Sequence, residues 1–520
     1  MPLALQALLP PIVLLAAAVM VRLRPRNPAN GWIAFGATSG AAGVALIELV
    51  RLSPGEHVDV PYLTTFPYAD VAIRLDGLSL SFAAVTLATA ALLMLARLRS
   101  RGDRREPWVG WLLTSAAAGG VIMADNLLLV YVVLQLLTLA WSGALDETAP
   151  RRRGLRLSLQ VADIGLLLAA ASAIQSVGTS AFSGVPSDTF GAATFFLVLL
   201  PVIVRIGALA LVSGGPAAAV VFEPAIAWVA PAGYLLLRLL SLMGGQLPDQ
   251  RITVVVFGGG ALLAIGLAAF AFWQGSGARL APLLLGAQAA IALALSVGGD
   301  ALLTVASAWL WLTLIPLTGL LSVRVARESA AHGLSRLQLA MIPGSVAFVG
   351  VWLGGLALDA RGLRLGMIPI GIAVIAALVA ILFDLTVARS ITRDVATAWA
   401  GALLLIAALP IVALNPLVLP AAETVRSVPA GTIIASLLGI RTPAGSWPAL
   451  PVSLAVAVVI GLLTWRWGGS LPLRRPRPRA GRRFTIPWTI PAALPSLPGW
   501  SRVLLWGAFV AIVGVAVARP

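Results

Sequence analysis

The chain has 520 residues, of which 59% are hydrophobic and 11% are charged, with a formal net charge of +16. Its mean hydropathy of +0.97 would leave a soluble domain with large exposed apolar patches, so the sequence predicts an integral membrane protein. Cysteine is absent, which excludes disulfides, iron–sulfur clusters and thiolate chemistry on this chain. Lysine is also absent, so all 36 basic residues are arginines, which do not exchange a proton near neutral pH.

In chain order, the sequence contains sixteen apolar runs of the length that crosses a bilayer as an α-helix. No basic segment precedes the first run, so we expect a retained helix there rather than a cleaved signal. The predicted fold class is an all-α polytopic membrane protein with about 14–16 transmembrane helices. The runs cover residues 3–21, 31–50, 77–96, 108–124, 126–145, 157–177, 190–212, 217–243, 252–273, 280–298, 301–323, 337–358, 365–388, 396–419, 449–467 and 500–518.

Arginines fall mainly on every second connection between these runs. Counted with the N-terminus outside, 26 arginines lie on the inward side and nine on the outward side, while Arg205 lies within the membrane. This asymmetry predicts that both termini face outward and that the arginine-rich segment 474–483 is cytoplasmic, near anionic headgroups. We therefore expect a bacterial or archaeal inner (cytoplasmic) membrane location and no binding of nucleic acid.

Two of the predicted helices contain similar interruptions. Predicted helix 7 ends in "SGGP" with Pro216, and predicted helix 12 contains "IPGS" with Pro343, five helices further on. Paired interruptions of this kind are typical of inverted repeats with broken helices, as in transporters. The predicted units are 1–107 (helices 1–3), 108–243 (helices 4–8, first half), 252–390 (helices 9–13, second half) and 395–520, which includes the Pro/Arg-rich segment 468–499.

Few polar groups lie within the apolar runs, and these are the candidate site residues. A charge at the bilayer centre costs roughly 2.5–3.5 kcal/mol on insertion scales, so it needs a partner or a water-lined cavity. Arg205 in helix 7 and Asp163 in the adjacent helix 6 are the natural couple, either as a static ion pair or as part of a proton or ion path. Gln160 shares a helix face with Asp163. The full set is Gln135, Gln160, Asp163, Arg205, Glu223, Gln288 and Asp384.

Neither cofactor nor metal sites are predicted. His57 and His332 lie in polar connections, without a second ligand at helical spacing. The glycine-rich "FGGGALLAIG" lies inside an apolar run without a preceding strand, so it indicates close helix packing rather than a nucleotide loop.

Five stretches between residues 60 and 360 carry a family pattern. They are "FPYADVAIRLDGLSLSF" (66–82), "DNLLLVYVVLQLLTLA" (125–140), "LSLQVADIGLLLAAASAI" (157–174), "VLLPVIVRIGALALVSGGP" (198–216) and "GYLLLR" (233–238). In that order they resemble the opening, helices 5, 6 and 7, and the end of helix 8 of the antiporter-like membrane subunits of respiratory complex I (NADH:quinone oxidoreductase) and Mrp-type cation/proton antiporters. The family has a lysine in helix 7 followed eleven residues later by a proline, and Arg205 and Pro216 keep that spacing.

Departures from the family pattern concentrate where its chemistry lies. Gln135 stands where helix 5 carries a glutamate, and Arg205 stands where helix 7 carries a lysine. The family's His-x-Trp-Leu-Pro stretch is "VSGGP" here, and there is no lysine for helices 8 or 12. As the resemblance implies, family members move protons by changing the charge on a buried lysine paired with that glutamate. The guanidinium of Arg205 keeps its charge and Gln135 cannot ionise. The positive charge at the helix 7 position is therefore preserved, but its reversible protonation is lost.

The resemblance implies a membrane subunit of a complex I-type or related energy-coupled complex. Its ancestral role would be proton translocation, through a channel that is degenerate or rewired through Asp163, Arg205 and Glu223. Partner membrane and peripheral subunits would carry the redox and quinone chemistry, and protons or Na+ would be the transported ions. The alternatives are a non-conducting structural scaffold of such a membrane arm and, ranked last, a stand-alone cation/proton antiporter.

Overall fold

The computed structural model describes residues 3–53, 55–63, 71–99, 108–143, 150–187, 189–211, 224–274, 277–323, 330–382, 384 and 394–467. Within these ranges the chain forms α1 (Leu3–Leu23), α2 (Asn30–Arg51), α3 (Gly77–Arg99), α4 (Trp108–Met123), α5 (Leu127–Gly143), α6 (Pro150–Val177), α7 (Ala192–Leu211), α8 (Ala230–Leu242), α9 (Gln250–Gln274), α10 (Gly277–Ser296), α11 (Ala301–Ser322), α12 (Ala330–Leu339), α13 (Val346–Ala360), α14 (Met367–Leu382), α15 (Val395–Ala408), α16 (Ile411–Ala413), α17 (Leu419–Val425) and α18 (Ala449–Trp467). Pro224–Val229 and Leu414–Val418 are π-helical, and Phe182–Gly184 and Arg364–Gly366 are 3-10 turns.

The predicted helical class is confirmed, but two of the predicted helices are each divided. The run 337–358 is two helices, since α12 ends at Leu339 and α13 begins at Val346, with Pro343 between them. The run 396–419 also divides, because Pro410 has no N–H with which to continue α15. The second arm, Ile411–Val425, bends away from α15 by 98°. The predicted interruption at Pro216 and the predicted helix 500–518 lie outside the described residues.

Two small antiparallel sheets join helices, and the sequence did not predict either. β1 (His57–Leu63) pairs with β2 (Val71–Asp76), with His57 opposite Asp76. The second sheet contains β3 (Ile434–Ala435), β4 (Ile440–Thr442) and β5 (Gly445–Trp447) in that order. Both lie in connections between helices, and their strands of two to seven residues are too short to be detected by a search for membrane-length apolar runs.

Eight of the described helices have both the length and the composition to cross a membrane, and a ninth candidate is the bent pair of α15 with Ile411–Val425. The predicted number of 14–16 is larger because several described helices, such as α4 and α5, are only 16 or 17 residues long. The eight spans are Asn30–Arg51, Gly77–Leu98, Gly154–Val177, Ala192–Ala210, Pro224–Leu242, Gln250–Trp273, Ala301–Ser322 and Arg364–Leu382.

Burial separates central helices from peripheral ones. In the spans Pro224–Leu242 and Ala301–Ser322, 94% and 89% of the apolar window is buried. In Gln250–Trp273 and Arg364–Leu382 the buried shares are 33% and 28%. The spans containing α8 and α11 therefore form the centre of the bundle, and the exposed apolar faces of α9 and α14 are suited to contact with lipid.

Connections that follow every second helix meet at one end of the bundle. The Asp125 N–H donates to the Ala72 carbonyl (3.1 Å), and the Phe182 N–H donates to the Asp125 carbonyl (2.8 Å). Arg238, near the end of α8, contacts Asp76 at the same place. The connections after α2, α4 and α6 and the end of α8 thus share one end, which we call the junction end, and this alternation is the arrangement that the arginine sorting assumes.

The second arm of the bent pair packs across the start of α3. The Ser81 hydroxyl donates to the Leu417 carbonyl (2.8 Å), and the Thr424 hydroxyl accepts from the Leu78 N–H (3.1 Å). A Cβ on Gly77 would overlap the carbonyl group of Pro420. The crossing therefore depends on the absence of a side chain at residue 77.

Replacing Gly77 with alanine is expected to lower the melting temperature of the purified chain, because overpacking of this kind costs about 1–3 kcal/mol. Gly40→Ala, in α2, is the matched control, since a Cβ there would meet no atom within 4 Å. Thermal unfolding followed by tryptophan fluorescence measures both variants. Equal melting temperatures for the two would contradict the close crossing.

Candidate functional site

Asp163 and Arg205 form a two-pronged ion pair between α6 and α7. Arg205 Nη1 donates to Asp163 Oδ1 at 2.6 Å, and Nη2 donates to Oδ2 at 3.0 Å. The two residues are 0% and 1% exposed, respectively. The structure thus brings together the two charges that the sequence proposed as a couple, in the fork geometry that a guanidinium and a carboxylate favour.

A close approach of the two helices makes this contact possible. A Cβ on Gly165 would overlap the Leu197 carbonyl, so α6 lies directly against the backbone of α7. Pro201 lacks an N–H, which leaves the Leu197 carbonyl without its usual helical donor. The Arg205 side chain points back toward the start of α7, where Nη1 also donates to the Pro201 carbonyl at 3.2 Å.

Apolar and aromatic side chains surround the guanidinium on its other side. Arg205 Nε is buried without a hydrogen-bond partner, as are the indole N–H groups of Trp228 and Trp311. These three side chains border an empty space of about 150 Å³.

The other predicted site residues do not join this pair in the described structure. Gln160 lies on α6 and Gln135 on α5, where the Gln135 amide nitrogen is buried without a partner. Asp384 follows the end of α14 and forms an ion pair with Arg336 of α12 (3.5 Å). Glu223, like Pro216, lies outside the described residues.

Two amide side chains close the interruption between α12 and α13. The amide nitrogen of Gln288, on α10, donates to the carbonyls of Gln338 and Leu339 (3.2 and 3.3 Å), which end α12. Gln338 Oε1 accepts from the Val346 N–H (2.6 Å), which begins α13, and the Trp309 indole donates to the Val346 carbonyl (2.7 Å). Backbone groups that an interrupted helix leaves free are therefore capped by neutral groups. Sequence reasoning singled out Gln288 but not Gln338, which lies just before the interruption that the sequence placed at Pro343.

Asp76 and Arg238 form a second buried ion pair, at the junction end, that sequence reasoning missed. Arg238 Nη1 and Nη2 contact the two Asp76 oxygens at 2.7 and 2.9 Å, and the Tyr234 hydroxyl accepts from Arg238 Nε at 3.1 Å. Arg74 Nε also donates to Asp76 (3.1 Å). The quoted stretches 66–82 and 233–238 contain these residues, so the signal was present, but nothing in the sequence paired them.

The charge on Asp76 is strongly favoured. Burial raises the pKa of this carboxyl, but Arg238 outweighs that effect through its charge and hydrogen bond, helped by the Ser79 N–H and by Arg74, so that the pKa falls to about 2. The Ser79 N–H lies 2.8 Å from Asp76 Oδ1. Asp76 is therefore a fixed structural anion at neutral pH.

No group of three or more His, Asp or Glu side chains that could hold a metal ion occurs among the described residues.

Comparison with known proteins relates the chain to membrane complexes by fold. No protein-family model and no curated protein sequence matches it. A chain of the Mrp complex from Dietzia sp. DQ12-45-1b superposes with a TM-score of 0.70 at 18% identity, covering 100% of this chain and 60% of that one. A chain of the membrane-bound sulfane sulfur reductase, an archaeal respiratory membrane complex, gives 0.68 at 15% identity over 90% of this chain and 86% of that one. A chain of respiratory complex I from Thermus thermophilus, with bound aureothin, gives 0.56 at 20% identity over 79% and 100%.

These similarities establish the architecture. The chain is a helical membrane protein with the fold of the antiporter-like subunits found in Mrp and complex I-type assemblies. It spans 60% of the Mrp chain, which is therefore the longer of the two.

Replacing either Asp163 or Arg205 with alanine is expected to destabilise the chain by about 3–5 kcal/mol, because each change leaves one uncompensated buried charge. Asp163→Leu combined with Arg205→Met removes both charges and is expected to recover most of the loss. Thermal unfolding of the native chain, the two single variants and the double variant gives a double-mutant cycle, which measures the coupling energy of the pair. A double variant no more stable than the worse single variant would contradict energetic coupling of the two residues.

Stability is also expected to fall in acid through Asp76. Its folded-state pKa of about 2 lies below the ordinary aspartate value of 3.8, so its contribution to stability is present above about pH 4 and is lost as the pH falls toward 2. The shift corresponds to about 2 kcal/mol. Asp76→Asn should remove this acid-dependent step, while Asp359→Asn, a half-exposed partner of Arg364, should keep it. Melting temperatures between pH 7 and pH 2.5 provide the measurement, and an unchanged step in Asp76→Asn would contradict the assignment.

Proposed function

We propose that this chain is an antiporter-like membrane subunit of a complex I-type NADH:quinone oxidoreductase or a related energy-coupled complex. Its proton channel in the first half is degenerate, because it lacks the reversibly protonated lysine of the family. The fold supports the general class. The five family-like stretches support the same assignment. The ancestral role is proton translocation, and the transported ion is a proton or Na+.

The pair of Asp163 with Arg205 is the observation that carries this proposal. A guanidinium is effectively always charged in proteins, whereas a buried lysine can gain and lose its proton. The Asp163 carboxylate contacts both terminal nitrogens of Arg205 in the fork geometry of a charged pair. Arg205 therefore keeps the positive charge of the helix 7 position without its reversible protonation.

The interruption in the second half supports the same conclusion. The ends of α12 and α13 are capped by Gln288 and Gln338, whose amides do not ionise. Because both amides are buried and hydrogen-bonded, they stabilise one arrangement of the interruption. Inverted repeats that relate this interruption to the one at Pro216 remain part of the proposal.

Partners supply what this chain lacks under the proposal. Other membrane and peripheral subunits perform the electron transfer and any quinone chemistry, and this chain holds no cofactor. The complex lies in a bacterial or archaeal cytoplasmic membrane, with both termini of this chain outward.

A non-conducting scaffold subunit is the second candidate function. The buried two-pronged pair of Asp163 with Arg205 favours it, because such a pair fixes two helices without any exchange of protons. A stand-alone cation/proton antiporter ranks last, since both members of the family's ionisable pair are replaced.

Proton flux in proteoliposomes tests the proposal. The chain is purified in mild detergent with its co-purifying subunits, reconstituted, and assayed by quenching of a pH-sensitive dye under an imposed potential. The native assembly is expected to show little flux through the first half, and Gln135→Glu combined with Arg205→Lys is expected to raise it, because these changes restore an ionisable pair. Gln135→Glu alone is the matched control.

Four outcomes separate the candidates. A gain of flux in the double variant supports a degenerate channel. No gain in a folded double variant favours the scaffold. Robust native flux that is abolished by Arg205→Ala but unchanged by Asp163→Asn would overturn both, and flux from the chain without partners would favour the stand-alone antiporter.

A further inference from the structure

A group of titratable side chains at the junction end surrounds one nitrogen of Arg74. Arg74 Nη1 lies 3.6 Å from Asp59 Oδ2 and 3.7 Å from Asp125 Oδ1. His57 Nε2 lies 3.9 Å from Asp59 Oδ2. We call His57, Asp59, Arg74 and Asp125 the rim cluster. Each distance from Nη1 is too long for a hydrogen bond, so both carboxylates compete for one nitrogen that neither fully engages.

The neighbouring ion pair gives the rim cluster no additional positive charge. Arg74 Nε is already bonded to Asp76, and Asp76 also takes both terminal nitrogens of Arg238. The three aspartates Asp59, Asp76 and Asp125 thus face two arginines. With His57 neutral, the set is one positive charge short.

Three buried atoms in the rim cluster lack hydrogen bonds. They are Asp125 Oδ1, Asp59 Oδ1 and Arg74 Nη1. Asp125 is only 4% exposed, whereas the side chains of Asp59 and His57 are 24% and 51% exposed. Exposure therefore rises in steps from the buried carboxyl of Asp125 to a solvent-facing imidazole.

We propose that Asp125 is a reversible proton-binding site, connected to water through Asp59 and His57. A proton on Asp125 supplies the missing positive charge and removes its repulsion with Asp59. Arg74 Nη1 is then left to the single charged neighbour Asp59. The ligand is a proton rather than a metal ion, since the described residues contain no group of three metal-ligand side chains.

The electrostatic surroundings of Asp125 support this site. Burial, followed by the charge of Asp59, raises the pKa of Asp125 to about 6, against the opposing charges of Arg74 and Arg238. The charged groups that act on it are Asp59 on β1, Arg74 on β2 and Arg238 on α8. Their own titratable and charged partners are His57 beside Asp59, Asp76 beside both arginines, and Tyr234 beside Arg238. The connection between α6 and α7 contributes backbone hydrogen bonds to this region.

The position of Asp125 links its protonation to the packing of the connections. Its N–H is bonded to Ala72 in β2, and its carbonyl accepts from Phe182 in the connection between α6 and α7. The side chain and the backbone of one residue therefore meet three parts of the junction end. Protonation changes the charge at the point where these parts join.

Infrared titration of the full chain in nanodiscs tests the site, by following the carbonyl stretch of protonated carboxylic acids between pH 4 and pH 8. A carboxyl band with a midpoint near pH 6 is expected in the native chain. Asp125→Asn should remove it, and Asp249→Asn, an exposed carboxyl in the connection after α8, should leave it unchanged. Asp59→Asn should lower its midpoint by roughly one pH unit, because it removes the repelling charge.

Any of three results would overturn the proposal. The first is a band near pH 6 that persists in Asp125→Asn, and the second is the absence of any such band in the native chain. The third is a midpoint that does not move in Asp59→Asn, a variant at a partly exposed residue that leaves the buried groups in place. The titration needs no partner subunit or ion flux, so its outcome is independent of the proposed function.

Discussion

Charge neutralisation inside an apolar bundle is the constraint on which this structure depends. An isolated charge in low dielectric costs several kcal/mol, so each buried arginine must find its carboxylate. Asp163 with Arg205 meets this requirement between α6 and α7, and Asp76 with Arg238 meets it at the junction end. The two pairs differ in their surroundings. The first lies among indoles and aliphatic side chains, whereas the second is joined through Arg74 to two further aspartates, of which Asp59 is partly exposed.

That difference decides whether a buried carboxyl group has a fixed charge or a charge that changes with pH. Asp163 and Asp76 each face a guanidinium through both oxygens, and the pKa of Asp76 is lowered as a result. Asp125 faces a guanidinium that is shared and poorly aligned, so its proton is held more tightly than that of an ordinary carboxyl. Burial is common to all three residues, and the number of well-placed donors decides which of them titrates near neutral pH.

The helical content and the pairing of Asp163 with Arg205 could be predicted from the sequence because both follow from the cost of placing polar groups in a bilayer. Apolar runs must form helices there, and adjacent helices with opposite charges must bring them together. The pair of Asp76 with Arg238 could not be predicted in this way, since 162 residues separate its members. The runs divided at Pro343 and Pro410 could likewise be predicted only in part. Proline marks a place where a membrane helix can break, but the direction after the break is set by partners such as Gly77 and Gln288.

The central helix α11 carries two tryptophans that contact different helices. Trp309 is hydrogen-bonded to Val346 at the start of α13, while Trp311 packs against Gly233 of α8 and borders the space beside Arg205. Both rings are attached to one rigid rod, two residues apart, on opposite sides of its axis. A rotation of α11 about its axis would displace both rings at once, in opposite directions. A single helix therefore joins the surroundings of Arg205 to the interruption before α13.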